Sequence, residues 1–549
     1  SGSLNSMVWY NGYLGGSEQL SLNYQSEKLN LFGSLWGYTR GHKEATSLIQ
    51  HIEGTKNVTV NQYDPLSYRN TMGEVNFGFN YDLNDENSIG ASYDLECEPY
   101  EKGHVDGQQE IFSEGQPVDI IKQKVLVDDI GGPTHELNAY YVGKVNKLGI
   151  DFNGTYLWQK TGRDMLETEE ATILENREIH TASRRHNQLL AGKLVLSYPI
   201  AKGQLELGSE VSHTHSSGEY SNAEGIVADA STDMKENNWA GFLAFSYPLG
   251  SFSMDAGLRY EYVSAKYYSF GKYEEEPSRN YSNWFPNLTL SWNKEPWAAS
   301  LAYTCKTKRP SYSSLRNEVQ YDNRYMYEGG DPYLRPTIAH DVSLDVMCNW
   351  ISFGVEYLYE DNPIIWYVTL YNHQDIAFMR NVNFSSKQTM TAYVIAAPKF
   401  DWYQPTWQVF FQKPFFDAEK YGAPRGLSKP ALGITWNNQF KLSSTWTSWV
   451  TLHANTTSYN AFRRYRSGYF ASMRMVKTFL DEALTVNFYA DDIFRSQKDQ
   501  WTMYGDHATL TKDSYNSARE IGVRVVYKFN SGHRKYKGSG AGNAEKSRF

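Results

Sequence analysis

Apolar and polar residues alternate with a period of two through most of the chain. Residues 521–529 show the pattern most clearly, and their apolar face ends in two aromatic rings: Ile521, Val523, Val525, Tyr527 and Phe529. Successive side chains of an extended strand point to opposite faces. One oily face and one mixed face, with rings at the end, suit a wall that has lipid outside and water inside.

The same pattern recurs in about 22 predicted strands, an even number as in bacterial single-chain barrels. About ten connections are short turns, and about eleven are longer polar segments. We predict the first four long segments, residues 40–70, 99–133, 162–185 and 216–237, to be loops. A soluble propeller would repeat a motif every ~40 to 45 residues, and no such motif occurs. The pattern predicts an all-β fold, a transmembrane antiparallel β-barrel with short periplasmic turns and long extracellular loops.

Aromatic residues collect at the short-turn ends of the predicted strands. We predict that they form the periplasmic girdle: Tyr24, Tyr81, Tyr198, Tyr247, Trp292, Trp297, Tyr527 and Phe529. Because backbone groups in lipid must all pair, the wall has to close into a ring. We therefore expect residues 4–13 to pair with residues 521–529, so that residues 1–529 form the barrel. The polar C-terminal tail, residues 530–549, is expected to lie outside the wall.

Composition is typical of a membrane barrel and argues against a helical membrane protein and a nucleic-acid-binding protein. The 549 residues include 42 Tyr, 26 Phe and 15 Trp, while the mean hydropathy is −0.59. A low average is expected when only every second strand residue faces lipid. No run reaches the ~18 apolar residues of a spanning helix. The formal charge of −9 is spread along the chain without a basic stripe, so we expect no nucleic-acid partner.

Candidate chemistry is sparse. His213 and His215 share one face of a strand, but no carboxylate or cysteine set accompanies them, so we predict no metal site. Cys305 and Cys348 are predicted near opposite rims of neighbouring strands, too far apart for a disulfide. No nucleophile elbow and no Cys and His pair stands out. We therefore expect neither catalysis nor a cofactor.

A predicted loop over residues 309–334 combines basic and aromatic side chains. Its candidate ligand-binding residues are Arg309, Tyr312, Arg316, Tyr321, Arg324, Tyr325 and Tyr327. Guanidinium forks and amphipathic rings suit recognition of carboxylates or of sugar and siderophore rings. The same residues would also serve a loop that packs on its neighbours and closes the barrel mouth. The sequence leaves both interpretations open.

Three short motifs resemble those of TonB-dependent outer-membrane receptors, in the branch described as outer-membrane β-barrel family proteins. Residues 309–312 read RPSY, residues 330–337 read GDPYLRPT and residues 490–494 read ADDIF. They are similar to the family's RPxY, GNPxLxPE and NDIF segments and occur in the same order. The match departs at Asp331 and Asp491, where Asn is usual, and at Thr337, where Glu is usual.

The resemblance implies a Gram-negative outer-membrane barrel, surrounded by outer-membrane lipid, that takes up a scarce nutrient. The ligand would be a small molecule, a peptide or a glycan. In that family an N-terminal plug contacts TonB, which supplies the energy. This chain starts at the first barrel strand without a signal peptide, so we expect the plug to have been removed, to be disordered or never to have been present. The alternative is a plug-less barrel that serves as a scaffold for surface lipoproteins or another membrane complex, and a diffusion porin is a third interpretation.

Overall fold

The computed structural model describes residues 1–530 and 536–549. Strands make up most of this part of the chain, with a 3₁₀ turn at Glu419–Tyr421 and a single-turn helix α1 at Asn543–Lys546. Numbered in chain order, the strands are β1 Gly2–Tyr10, β2 Leu14–Gln25, β3 Leu29–Glu53, β4 Asn57–Asn84, β5 Asn87–Ser113, β6 Gln116–Val145, β7 Leu148–Ala171, β8 Arg177–Ile200, β9 Gly203–Asn222, β10 Ala230–Leu249, β11 Phe252–Ser269, β12 Lys272–Lys294, β13 Trp297–Lys308, β14 Val319–Asn323, β15 Met326–Gly329, β16 Thr337–Cys348, β17 Ile351–Asp361, β18 Ile364–Leu370, β19 Ala377–Asn383, β20 Ser386–Ala396, β21 Tyr403–Phe415, β22 Ala431–Lys441, β23 Trp446–Asn455, β24 Ser458–Asn460, β25 Arg463–Tyr465, β26 Gly468–Phe479, β27 Leu484–Asp491, β28 Asp499–Tyr504, β29 Ala508–Tyr515 and β30 Glu520–Phe529. Within the described ranges, no helix has the length and apolar character needed to cross a membrane.

The wall is a closed antiparallel barrel of 22 strands. β1 pairs with β30 over its full length, from Gly2 opposite Phe529 to Tyr10 opposite Ile521. The predicted fold class and the predicted pairing of the first strand with the last are therefore confirmed. The other strands lie in the extracellular loops: β14, β15, β18 and β19 form a second sheet, and β24, β25, β28 and β29 continue the edge of β3.

The first half of the wall is taller than predicted. Strands β3 to β12 contain between 18 and 30 residues, whereas a strand needs only ~9–11 residues to span the bilayer. The first four segments predicted as loops are largely paired strand joined by tight turns, as from Glu53 to Asn57. Their loop assignment is wrong. Above the lipid the outer face meets water, so polar residues occupy both faces and the period-two signal disappears.

The two faces of the wall differ as the alternation predicts. Leu31 and Phe79 point outward and are exposed. On the inner face Asn80 donates a hydrogen bond to Asn30 at 3.0 Å, and Tyr140 donates to Asn80 at 2.7 Å. The wall therefore encloses a polar lumen.

The aromatic residues predicted as a periplasmic girdle lie beside the short turns. The ring centroids of Tyr527 and Phe529 are 6.1 Å apart, and those of Trp292 and Phe252 are 6.4 Å apart. Trp297 is 48% exposed. Their contact with lipid headgroups stays a prediction.

The cysteines of the second half lie where the strand order predicts. Cys305 lies opposite His340 and Cys348 lies opposite Trp297, at the two ends of the β13–β16 pair. The register therefore keeps the two thiols apart.

Residues 536–549 lie inside the barrel. The Tyr536 ring packs against Phe32 and Tyr140 of the inner face, with centroids 6.2 and 5.1 Å away. The backbone N–H of Ala541 donates to Thr155, also on the inner face. The expectation that the tail lies outside the wall is wrong for these residues, and residues 531–535 fall outside the described part. Polar composition predicts contact with water, but a polar lumen supplies hydrogen-bond partners of the same kind.

Candidate functional site

Two consecutive extracellular loops fold into the mouth of the barrel. β14 pairs with β15, β18 pairs with β19, and β15 joins the two hairpins by pairing with β19 in parallel. Apolar residues of this sheet pack with later loops and with the inner faces of the tall strands, in a buried cluster that includes Ile52, Val60, Ile121, Met326, Val368, Phe384 and Phe462. A hydrophobic core thus joins these loops to the inner wall across the mouth.

Tyr321 and Arg324 fasten the β14–β15 hairpin to the wall. The Tyr321 hydroxyl donates to Glu169 at 2.7 Å, and Arg324 donates to the other oxygen of that carboxylate and to the Glu175 carbonyl. Tyr321 is 1% exposed and Arg324 is 8% exposed. Burial, and then the Glu169 charge, raise the pKa of Tyr321, so its hydroxyl keeps the proton that it donates.

A ladder of buried amides supports the same hairpin. Gln109 donates to Gln123 at 2.8 Å, and Gln123 donates to the backbone carbonyl of Asp322 at 3.3 Å. Asn323 donates to Gln62 at 2.9 Å. Since an unmade hydrogen bond at a buried group is costly, these contacts fix the position of the hairpin on the wall.

The other aromatic candidates of this hairpin pack inward. The Tyr327 ring lies 5.6 Å from that of Tyr321 and 5.1 Å from that of Tyr371, and Tyr327 is 6% exposed. Tyr325 packs against the hydrophobic core of the mouth. These positions are those of a loop that packs on its neighbours, and a ligand-binding role for these residues stays a prediction.

Arg309 lies deeper in the lumen, in a network of charged side chains. It donates to Glu261 at 2.5 Å and to Glu545 at 2.9 Å. Arg259 donates to the other oxygen of Glu261 at 2.6 Å. The Arg309 side chain is only 4% exposed, so its charge is balanced by carboxylates rather than by water.

Tyr312 lies between the mouth loop and residues 536–549. The Arg548 guanidinium is centred 4.1 Å from the centre of the Tyr312 ring, and Phe549 stacks on the same ring at 5.5 Å. Tyr312 is 2% exposed, and burial raises the pKa of its hydroxyl. This residue therefore acts as a platform for a cation and a ring.

Arg316 is buried against the wall. Its guanidinium lies on Gly218, where an added Cβ would come 2.7 Å from Nε. The Nε and Nη1 atoms have no hydrogen-bond partner within the described ranges. Burial, and then the nearby Arg185, lower the pKa of Arg316 to about 10, which still leaves the group charged at neutral pH.

A cavity of about 670 Å³ opens beside this charged network, lined by side chains that include Glu261, Arg309, Ser313, Trp366, Asn381 and Arg548. Small-molecule sites typically measure ~300–1,000 Å³. The cavity therefore has the size and the polar lining of a ligand site inside the mouth.

The two histidines, His213 and His215, contact different residues of the neighbouring strand. His215 Nε2 lies 2.6 Å from Asp233, and His213 Nδ1 lies 2.8 Å from Asn237. The carboxylate is distant in sequence, but the β9–β10 pairing brings it alongside. Across residues 1–530 and 536–549, no three metal-ligating side chains gather at one point.

The sequence did not identify the acidic residues that bind the arginines of the mouth loop and the inner wall. Glu169 and Glu236 fall in segments predicted as loops, and Glu261 lies outside those segments. All three contact arginines on the lumenal side. The available signal is an acidic residue in the inward register of a strand, which becomes visible once the strand is extended to its full length.

A sequence model of the outer membrane protein beta-barrel family matches residues 143–527. The chain belongs to this family. The match begins at the end of β6, reaches the last strand and includes both mouth loops. Among curated proteins, none matches the chain in sequence.

Solved structures that share the fold of this outer membrane beta-barrel protein include the following three. The copper transporter OprC aligns with a TM-score of 0.65 at 11% identity, over 96% of this chain and 80% of that one. The FrpB iron transporter from Neisseria meningitidis aligns with a TM-score of 0.57 at 13% identity, over 96% of this chain and 81% of that one. The ferric yersiniabactin uptake receptor FyuA from Yersinia pestis aligns with a TM-score of 0.58 at 10% identity, over 96% of this chain and 80% of that one. The family match confirms the placement in the outer membrane. The resemblance to TonB-dependent receptors is confirmed at the level of the fold.

The motifs that carry the resemblance hold the mouth loops of this family member in place. Arg279 donates to the backbone carbonyls of Pro332, at 2.5 Å, and Leu334. Asp492 is 1% exposed and accepts the Ser496 N–H at 2.8 Å. The Arg279 contacts tie the mouth loop to β12, and the Asp492 contact closes a turn after β27.

Proposed function

We propose that this barrel is the transporting part of a TonB-dependent outer-membrane transporter that takes up a scarce extracellular nutrient. One observation carries the proposal: the lumen is polar, yet a packed core of folded loops and inner-wall residues lies across its mouth. A diffusion porin keeps an aqueous channel. A lumen that is closed at rest suits a protein that admits its ligand only when energy is supplied.

The ligand would be a small molecule, a peptide or a glycan bound in the mouth. The cavity beside Arg309 supports this, because it offers charged and aromatic groups in a space of about 670 Å³. The solved structures of similar fold, a copper transporter, an iron transporter and a ferric yersiniabactin uptake receptor, also support uptake.

Release into the lumen requires that the mouth sheet or the residues beneath it move. Their contacts are buried ion pairs and a hydrophobic core, so the opening costs free energy. A plug linked to TonB would deliver that energy from the periplasmic side. The residues that would contact such a plug lie on the inner face of the wall.

The test is uptake by cells that carry or lack the gene, with the complete gene product restored from a plasmid. The labelled probes are a copper salt, a ferric siderophore, cobalamin, a peptide pool and an oligosaccharide pool. We expect saturable accumulation of at least one probe that disappears in the deletion strain and on addition of a protonophore. Accumulation of every probe at equal rates with and without the gene would contradict the proposal, as would uptake that persists without the proton gradient.

A further inference from the structure

Residues 536–549, named here the inner segment, lie along the inner wall without joining the sheet. The backbone N–H groups of Ser539 and Ala541 donate to the side chains of Asn153, at 2.9 Å, and Thr155, at 3.0 Å. The wall thus holds the segment with side chains rather than with a β-ladder. In this respect the inner segment resembles a bound peptide more than a strand.

A guanidinium of the inner segment is held on three sides. Arg548 forms a forked ion pair with Glu236, with 3.1 Å between Nη2 and Oε2. Its Nε donates to the Pro310 carbonyl at 3.1 Å, and the group lies over the Tyr312 ring. A forked carboxylate, a carbonyl and an aromatic face are the partners that select arginine over lysine.

Two more features of the inner segment have dedicated partners. The Glu545 carboxylate accepts from Arg309 at 2.9 Å and from Asn238 at 3.0 Å, and it is 2% exposed. The Phe549 ring stacks on Tyr312. The wall therefore contacts a carboxylate, a guanidinium three residues later and a ring directly after it.

The wall and the start of the mouth loop form this cleft together. Arg259 pairs with Glu210 at 3.0 Å, and Arg309 pairs with Glu261 at 2.5 Å. Glu236 lies 3.9 Å from Arg309 and is the third carboxylate facing these two guanidiniums. Without the inner segment, these three carboxylates face two guanidiniums. Arg548 gives Glu236 a forked partner, while Glu545 of the same segment shares Arg309.

The cleft has room beside its occupant. The cavity of about 670 Å³ is bounded on one side by Ala544, Ser547 and Arg548, and on the other by the mouth loop and by Trp366 of β18. A second chain can reach the same wall groups from this cavity once the inner segment withdraws.

We propose that this lumenal cleft is a peptide-binding site. Its ligand is a peptide that carries an acidic residue, an arginine three positions later and an aromatic residue directly after the arginine. The inner segment occupies the site in cis and competes with a peptide from outside. The proposal goes beyond uptake, because peptide binding requires neither a plug nor TonB.

A segment tethered to its own site has a high effective concentration, in the millimolar range for short linkers. A free peptide therefore binds weakly to the unaltered chain and more tightly when the cis contacts are removed. The full chain with Arg548→Ala and Phe549→Ala keeps the wall groups and loses the two main contacts of its own segment.

The experiment measures fluorescence anisotropy of a labelled synthetic peptide, YKGSGAGNAEKSRF, with purified full chains in detergent. We expect saturable binding to the Arg548→Ala, Phe549→Ala chain at least about tenfold tighter than to the unaltered chain. Adding Glu236→Gln to that chain should weaken binding by about tenfold or more, because a buried charge-assisted contact is lost. Adding Asp164→Asn, on the wall outside the cleft, should leave binding unchanged.

A peptide in which the arginine is replaced by alanine serves as the second control and should bind at least about tenfold more weakly. Equal binding of the two peptides, or no saturable binding to the altered chain, would overturn the proposal. If the altered chain does not fold, hydrogen exchange of the unaltered chain decides. Millimolar peptide should then speed exchange at residues 536–549, and a scrambled peptide should not. Unchanged exchange with the matching peptide would equally overturn the proposal.

Discussion

Glu236 joins three parts of the molecule, the wall strand β10, the mouth loop and the inner segment. It is 5% exposed, pairs with Arg548 and accepts from the Tyr312 hydroxyl at 3.4 Å. Arg548 stands 312 positions away, a pairing that depends on the path of the whole chain. Sequence reasoning could select Tyr312 by residue type, but the partner acid becomes apparent only with the tail inside the lumen.

Removing the charge at this position should be costly. Replacing Glu236 by Gln leaves Arg548 buried without its counter-ion, and we expect the free energy of unfolding to fall by about 3–5 kcal/mol. Urea unfolding in detergent, followed by tryptophan fluorescence, measures the change. The control is Asp164→Asn, which breaks an exposed pair with Arg184 and should cost less than ~1 kcal/mol. Equal losses in the two variants would contradict the role of Glu236.

Gly218 is required by the side chain that lies on it. An alanine at this position would bring Cβ to 2.7 Å from Nε and 2.9 Å from Cζ of Arg316, so the buried guanidinium would have to shift. We expect Gly218→Ala to lower the free energy of unfolding by about 1–3 kcal/mol. Gly241→Ala on the neighbouring strand meets no atom within 4 Å and is the matched control. An unchanged free energy of unfolding in Gly218→Ala would show that the Arg316 guanidinium can adopt another position.

The mouth hairpin should loosen as the pH rises. Burial, followed by the charges of Glu328 and Asp64, raises the pKa of Asp322 well above its usual value. The folded state holds that proton more tightly than the unfolded chain, so the stabilisation is present in acid and is lost as the pH rises through the raised pKa. Each unit of pKa shift corresponds to about 1.4 kcal/mol, or roughly tenfold in the opening equilibrium.

Hydrogen exchange of residues 319–329, corrected for the intrinsic rate, measures this effect between pH 5 and pH 8. Protection should fall with rising pH in the unaltered chain. The dependence should weaken in the Asp322→Asn variant. A smaller part remains, because burial also raises the pKa of Glu328 in the same hairpin. A pH dependence of unchanged size in Asp322→Asn would assign the effect to another group.

At the scale of elements, the alternation of residues predicts the strands wherever one face meets lipid. It fails in the upper parts of β3 to β10, because both faces there carry polar residues and only the buried inner positions, such as Val60 and Ile121, keep the period. The sequence pattern does not predict the mouth sheet, for a different reason. Its strands β14 and β15 are short and buried by long-range packing, which a local pattern does not record.

The β14–β15 hairpin offers a test of the predicted ligand-binding residues. Replacing Tyr321, Arg324 and Tyr325 together by alanine should abolish uptake of whichever labelled probe the complete gene product accumulates. The structure gives a physical reason, since both contacts to Glu169 and the packing of Tyr325 on the core are lost. Unchanged uptake would count against both a binding and a positioning role.

Glu169→Ala separates the two roles. It keeps all three side chains of the hairpin but removes the carboxylate to which Tyr321 and Arg324 bind. An equal loss of uptake in this variant, with faster hydrogen exchange of the hairpin, indicates positioning. Full uptake in Glu169→Ala together with none in the triple variant indicates direct contact with the ligand.

At the scale of the whole molecule, a wall of 22 strands closes through β1 and β30, and its lumen is filled from two directions. The mouth loops enter from the extracellular side, and the inner segment lies below them. They meet at Tyr312, whose backbone N–H donates to the Arg548 carbonyl at 3.1 Å. The ring closure follows from the sequence, because backbone groups in lipid must pair. The filling of the lumen does not, since it depends on contacts between polar segments that are remote in the chain.

Ion conductance of the chain in planar bilayers tests most directly whether the lumen is closed at rest. We expect no steady current from the unaltered chain, because a packed core lies across its mouth. A variant in which residues 317–330 are replaced by a short Gly-Ser linker should show frequent openings, since the β14–β15 hairpin and its contacts to Glu169 are then absent. A large, steady current from the unaltered chain would contradict a closed lumen and would indicate a diffusion pore.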